Sequence, residues 1–477
     1  MHIIDLTIFV IYMLVMLGVG FYFLRKNKST DDYYVGGRSM GSWHVGLSVV
    51  ATDVGGGFSI GLGGLGFTMG ISGSWMLFTG LIGAWLAAVF LIPTISKLSK
   101  DINLLTFPQV FGHFYDKKVA LLAGIISAVG YIGFTSSQIL AGAKLASASF
   151  VNLDINSALV IMGVIAIVYT VMGGMKAVIY TDTIQWIILM SGLIFIGIPM
   201  GYVAIGGMEA IRETLGSEFL AFNNIGWQTF VNWGITIIPI WFVGMTLYQR
   251  IYSCRDENQA KKAWFIAGLF EWPIMALMGV MLGLFSRVAA EQGMFASLGY
   301  GDVSVLDAEL GLPLLLRSIL PVGLMGLMMS AYFSAIMSTA DSCLMAASGN
   351  LLTDVFGKWL HINQSDSKVL RSSQWLTLVI GVLALVLALF MTDVLELMLY
   401  SYAFMVSGLF IPIIAALFWN GRNGNAAFAS MLVGGSTTLI LILSGVTLPL
   451  GLDANIYGIL GSLITYIIVN RFVSFNK

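Results

Sequence analysis

The sequence predicts an all-α integral membrane protein, and three observations carry that prediction. Of its 477 residues, 58% are hydrophobic and only 10% are charged, giving a mean hydropathy of +0.91. The apolar residues gather into runs of about 20, the length at which a helix crosses a bilayer. The lysines and arginines between those runs fall almost entirely in alternate loops. Hydrocarbon offers backbone N–H and C=O groups no partners, so such runs are read as helices.

The first run, Asp5 to Leu24, follows an acid instead of a basic leader region and lacks a small-residue cleavage site, so it is read as a retained helix. Twelve more follow: Ser42 to Met69, Ser74 to Ile95, Val119 to Ala148, Ser157 to Val171, Ala177 to Ala204 and Phe230 to Tyr248, then Ala263 to Leu284, Val322 to Asn350, Ser373 to Met391, Val394 to Trp419, Ala426 to Val446 and Asn455 to Val469. The longest connections, near 206–228 and 286–320, are loop-sized, so no fused kinase or receptor domain is expected.

Thirteen spans place the termini on opposite sides. With the N-terminus outside, 19 of the 23 basic residues become cytoplasmic, Arg250 and Arg255 among them. Only Arg212, Arg287 and Arg317 fall outside, while Lys144 lies within a span and is expected to snorkel to the outer surface. The outer loops hold Glu209, Glu213, Glu218, Glu291, Asp302, Asp307 and Glu309. The predicted location is therefore the plasma (inner) membrane, with a cytoplasmic C-terminus. A net charge of −1 supplies no basic field for nucleic acid, and Cys254 and Cys343 make no disulfide scaffold.

Polar residues inside spans carry the functional signal, because each is costly there. In ATDVGGGFSIGLGGLG, Ala51 to Gly66, Asp53 precedes Gly55, Gly56 and Gly57. A close-packing face of small residues explains the glycines but not the acid. A broken helix explains both, since unwinding frees carbonyls for a cation and Asp53 supplies charge for an ion or a substrate amine. In SAIMSTADSCLMAAS, Ala335, Ser338, Thr339 and Ser342 share one helical face, and Ser334, Ser338 and Asp341 form an adjoining stripe. Back-bonding to the helix explains any single serine, but not Asp341. In YTVMGGMKAVIYTDTIQW, a Gly-Gly turn and Lys176 precede Asp182, for which pairing with Lys176 or water is the simpler alternative.

At this third cluster the sequence resembles the sodium:solute symporter family. Tyr169, Thr170, Gly173, Gly174, Ala177, Val178, Thr181, Asp182 and Gln185 stand in the order of the family's fifth core helix. DDYYVGGRSMGSW, Asp31 to Trp43, is similar to its signature before the first core helix; AGAK, Ala141 to Lys144, to the third core helix of proline-type members; AKKA, Ala260 to Ala263, and SAIMSTADS to the seventh and eighth. The resemblance implies a LeuT-type core of two inverted five-helix repeats, residues 42–204 and 230–419. An extra N-terminal helix and signature loop (1–41) precede it, an outer loop (205–229) separates the repeats, and two C-terminal helices (420–477) follow. Gly55 to Gly57, and Pro239 with Gly244, would interrupt the first helix of each repeat.

Carried over by position, the family's common sodium site falls on carbonyls of Ala51 and Val54 and on Ala335, Ser338 and Thr339. A second site of some members falls on Asp182, Ser338 and Ser342, with Asp341 beside them, so one or two Na+ ions are expected and no organic cofactor. Asp53 stands where proline-type members also have aspartate and choline-type members have a cage tryptophan. An amino acid such as proline is the first expectation for substrate, a choline-like organic cation the second, and a sugar or carboxylate the third. Asp53, Gly55, Gly56, Phe58, Phe134, Gln138, Trp241 and Tyr402, with Thr135 and Met405, are pocket candidates by helix position, simple packing being the competing reading. Glu271 is a further intramembrane acid, expected near the inner interface beside a cytoplasmic base.

No repeated filter loop suggests a channel. His2, His44, His113 and His361 form no HExxH, so no enzyme is expected, and a transporter-like sensor would normally need an output domain. The expected partners are a small-molecule substrate and the lipid bilayer, with no nucleic acid and the chain acting as a monomer.

Overall fold

The computed structural model describes residues 2–26, 34–53, 55–150, 153–356, 367–419 and 422–475. The regular structure among the described residues is helical, with one isolated bridge between Met40 and Cys254. In chain order the main helices are α1 (Ile3–Lys26), α2 (Ser42–Asp53), α3 (Gly55–Met69), α4 (Trp75–Leu86), α5 (Ile92–Ile102), α6 (Lys117–Ser149), α7 (Ile155–Gly192), α8 (Ile198–Ala204) and α9 (Trp227–Val243). They continue as α10 (Met245–Ser253), α11 (Glu257–Leu269), α12 (Ala276–Glu291), α13 (Ala308–Ile319), α14 (Leu324–Asn350), α15 (Ser367–Ala388), α16 (Val394–Phe418), α17 (Gly424–Ser444) and α18 (Ala454–Phe475).

Among the described residues, seven helices are long and apolar enough to cross a membrane, and eight if the bent pair α9–α10 is one span. The remaining expected spans fall on α1, on the broken pair α2–α3, on the first part of α7, on polar-rich α14 and on α18. Where the sequence predicts a turn at Gly173–Gly174, α7 runs through as a single helix of 38 residues. Its apolar flanks, Ile155–Val171 and the stretch from Thr181, offset the glycines' entropic cost.

Two irregular points position the site. Helix α2 is described as far as Asp53 and α3 from Gly55, with Val54 between them outside the described residues; the φ of +40° at Gly55 departs from helical geometry and lies in the range glycine tolerates best. Gly244 interrupts the second pair with an extended backbone, and α9 and α10 diverge by 43°. Beyond its first turn, α3 uses glycine for close packing. A Cβ on Gly66 would strike the Val280 backbone, and one on Gly283 the Gly63 backbone, so α3 and α12 touch main chain to main chain. The close-packing reading of the glycine-rich stretch therefore holds at Gly63 and Gly66. Around these elements α2 packs on α11, α9 on α4 and α16, and α14 on α6 and α7.

Candidate functional site

The i, i+3, i+4 spacing on α14 brings Ala335, Ser338 and Thr339 to the end of α2. Thr339 Oγ1 donates to the Ala51 carbonyl oxygen at 2.9 Å and lies 3.3 Å from that of Ala335. Ser338 Oγ donates to the Ala335 carbonyl at 3.1 Å. All four residues are buried. A Cβ on Gly55 would overlap the Thr339 hydroxyl, so only glycine admits this approach. The structure thus gathers four of the five expected sodium residues into a cluster of carbonyl and hydroxyl oxygens, ligands suited to a hard cation. The fifth, Val54, lies outside the described residues.

A neighbouring cluster has an occupant that the sequence placed elsewhere. Arg250 on α10 is fully buried and not in a cytoplasmic loop. Its guanidinium donates to Ser48 Oγ (3.0 Å), Ser342 Oγ (3.0 Å), the Thr246 carbonyl (3.1 Å), Asp182 Oδ2 (3.4 Å) and Thr52 Oγ1. Ser48 donates to the same Asp182 oxygen at 2.5 Å, and Ser338 reaches Asp182 as well. Asp182 is therefore the partner of Arg250 instead of a near-surface acid, and the side chain of Lys176 lies outside the described residues. Asp341 stands apart, accepting a hydrogen bond from Thr170. Ser338 borders both clusters, as its two stripes predict, and Arg250 contacts Asp182 and Ser342, two of the residues expected at a second sodium site. Positive-inside counting missed it because an arginine ten residues past Ile240 reads as a loop residue.

On the other side of the break, the Tyr402 hydroxyl donates to Asp53 Oδ1 at 3.4 Å, and the Phe134 and Tyr402 rings meet edge-to-face at 5.0 Å. The Asp53 carboxyl lies within hydrogen-bond reach of that of Glu271. Glu271 is fully buried and faces Gly80 of α4, which corrects its expected place at the inner interface. The long stretch of chain between the two acids hid the pairing. Trp241 covers Gly83, one turn along α4, and packs edge-to-face on Trp264 at 6.3 Å. Gln138 donates to Ser137 at 3.3 Å, Thr135 bonds back to Tyr131 at 2.8 Å, and Met405 packs over Gly130. Gly56 belongs to α3, while the Phe58 side chain lies outside the described residues.

Lys144 does not snorkel. It is buried and pairs with Asp307 at 2.5 Å and Glu309 at 2.7 Å. Glu309 also accepts the Val394 and Leu395 backbone N–H groups, each at 3.0 Å, so one carboxylate ties α13 to α6 and to the start of α16. Beside this junction opens a cavity of about 930 Å3, lined by Gly61, Gly64 and Leu65 of α3, by Asp307 and Glu309, and by Ala403, the neighbour of Tyr402. No group of three or more His, Cys, Asp or Glu suited to a metal occurs among the described residues.

Comparison with known proteins gives this arrangement a context. A profile of the sodium:solute symporter family matches residues 33–434. The chain is 27% identical to the osmoregulated proline transporter OpuE of Bacillus subtilis over 473 residues, covering 96% of this chain and 93% of that one. It is 26% identical to the sodium/glucose cotransporter 1 of Oryctolagus cuniculus, covering 90% and 70%. Its fold is similar to that of a Na+-coupled sialic acid symporter in a substrate-bound outward-open state, with a TM-score of 0.79 at 22% identity over 99% and 98% of the two chains. It is less similar to Mhp1, a nucleobase-cation-symport-1 family transporter, at a TM-score of 0.57 and 15% identity over 94% and 95%. The chain belongs to the sodium:solute symporter family: it is a multi-pass membrane protein that couples sodium to the movement of a small solute, and not an enzyme.

Proposed function

We propose that this symporter imports a small organic solute bearing a basic nitrogen, together with one sodium ion held between the α2–α3 break and α14. The observation that carries the reading is the contact of Thr339 with the Ala51 carbonyl, because it sets an α14 hydroxyl against a backbone oxygen beside the expected helix break. Ala51, Val54, Ala335, Ser338 and Thr339 are the proposed sodium ligands. Asp182, Ser342 and Asp341 are assigned no second ion, since Arg250 supplies the positive charge there.

Asp53, Tyr402, Phe134 and Trp241 are the proposed substrate contacts, with Gly55 and Gly56 allowing close approach to the backbone and with Phe58 and Gln138 on the same helices. An amino acid such as proline fits the pairing of Asp53 with an amine and of a freed helix N-terminus with a carboxylate. An organic cation is the second reading, favoured by the aromatic rings beside Asp53. The architecture we infer is a plasma-membrane bundle of two inverted five-helix repeats, whose thirteen spans require the chain to reverse between the two apolar halves of α7, with the N-terminus and the acidic cavity outside, acting as a monomer.

Each sodium ion moved inward through about 100 mV releases about 2.3 kcal/mol. That supports about fortyfold accumulation of a neutral solute. The test is uptake into proteoliposomes by a panel of amino acids, amines, sugars and carboxylates under imposed sodium and potential gradients. Electrogenic, sodium-dependent uptake of an amine-bearing solute is expected. Uptake indifferent to both gradients contradicts the reading.

A further inference from the structure

We infer that the transported solute is a net cation, whose hydrogen-bearing ammonium group is held between the carboxylates of Asp53 and Glu271. This rests on the symport reading and, of its two substrate classes, takes the organic cation over the amino acid. Two buried carboxyl groups in contact repel when both are ionised, so they either share a proton, which a cationic ligand would replace, or hold a positive charge between them. The chain places none there among its described residues. Asp53 Oδ2 and both Glu271 oxygens have no hydrogen-bond donor, and Arg250, whose charge reaches Asp53, gives its donors to Ser48, Thr52, Asp182, Thr246 and Ser342. The remaining ionisable neighbours of Asp53, namely Tyr402, Tyr131 and Cys343, bring no cation.

The surroundings are shaped to keep these oxygens in place and dry. Gly80 faces Glu271 so closely that a Cβ would strike its Oε2. One turn on, Gly83 admits the Trp241 indole, which is fully buried with its Nε1–H unpartnered. That unpartnered donor and the three unpartnered acceptors are what a ligand with an ammonium group and a neutral acceptor would satisfy. The aromatic faces add cation-π surface.

A separate feature agrees. Every Asp, Glu, Lys, Arg or His lining the 930 Å3 cavity is an acid: Asp307, Glu309, Asp393, Glu396 and Asp453. Lys144 offsets part of the charge on the first two, leaving a negatively charged cavity that concentrates cations at that face of the bundle. Glu271 also separates the candidate substrates by chemistry. The carboxylate of a zwitterion would meet a second buried acid, and a quaternary ammonium has no N–H to donate. A primary or secondary aliphatic ammonium satisfies both carboxylates.

Three probes of one ring size test this: pyrrolidine, which is cationic with N–H donors; proline, its zwitterionic carboxylate; and N,N-dimethylpyrrolidinium, a cation without N–H. Binding to the purified full-length protein in saturating sodium is measured by calorimetry. Pyrrolidinium should bind about tenfold or more tightly than either competitor. The isosteric Glu271→Gln should lower its affinity by about tenfold and erase the preference over proline, while sodium-dependent thermal stabilisation stays at the parent's level. Gly80→Ala, which pushes on Glu271, should weaken pyrrolidinium as well. Equal or tighter binding of proline to the parent, absence of pyrrolidinium binding at millimolar concentration, or a full preference retained in Glu271→Gln overturns the inference. Loss of the inference alone leaves sodium stabilisation intact, whereas failure of the symport reading removes sodium stabilisation too.

Discussion

Thr339 Oγ1 lies 2.9 Å from the carbonyl oxygen of Ala51, although 288 residues separate them in the chain. The contact joins the last described turn of α2 to the middle of α14, close to Gly55, whose φ of +40° departs from helical geometry. A sodium ion between these oxygens would take the same groups as ligands, so the proposed ion site is an exchange of one hydrogen bond for several ion contacts.

Gly55 sets how near the two elements come. Its φ of +40° and the overlap of any Cβ with Thr339 make Gly55→Ala strained in two ways. We expect this variant to insert and express, to lose sodium-driven uptake by about tenfold or more, and to need more sodium for thermal stabilisation. Gly18→Ala, which meets nothing within 4 Å, is the matched control and should transport as the parent does.

Arg250 and Asp182 are both fully buried, so removing one strands the charge of the other. Arg250→Gln should destabilise by about 3–5 kcal/mol. The double variant Arg250→Gln with Asp182→Asn should recover most of that loss. Thermal unfolding of the four proteins of the cycle gives the coupling. Additive effects would show that the pair is not held as described.

The junction at Lys144 predicts mobility at one end of the bundle. Lys144→Met removes the cation shared by Asp307 and Glu309, and Asp307 is partly solvated, so the loss is modest. The readout is labelling of a cysteine introduced at the buried Leu312 by an impermeant reagent from outside. It should quicken about fivefold, corresponding to ~1 kcal/mol. Lys144→Arg should keep the parent's rate. An unchanged rate in Lys144→Met would show that the pair does not hold α13 closed.

Orientation follows from the distribution of basic residues. Cysteines replacing the exposed Lys117 and Glu213 should label from the cytoplasm and from outside, respectively. The reverse pattern would invert the assignment.

How much of this was legible depended on the range of each interaction. The spans were readable because hydropathy is local, and Ala335, Ser338 and Thr339 were readable because helical periodicity alone puts them on one face. Asp53 stood out because a carboxylate beside glycines has no packing explanation. What pairs with what was not readable. Glu271 meets Asp53, Lys144 meets Asp307 and Glu309, and Arg250 meets Asp182, all through tertiary packing that leaves no local pattern. In each case the sequence showed a charge at membrane depth, whose cost demanded a partner without naming it. The glycines of α3 divide for the same reason: Gly55 serves the break, while Gly63 and Gly66 serve contact with α12, and only the neighbours distinguish them.

The most direct test of the ion site is equilibrium binding of radioactive sodium to the purified protein, parent against Ser338→Ala with Thr339→Ala. The account predicts one saturable ion per chain in the parent. In the double variant, which removes two oxygens and little volume, the affinity should fall about tenfold or more without loss of folding. Two ions per chain in the parent, or an unchanged affinity in a folded double variant, would contradict it.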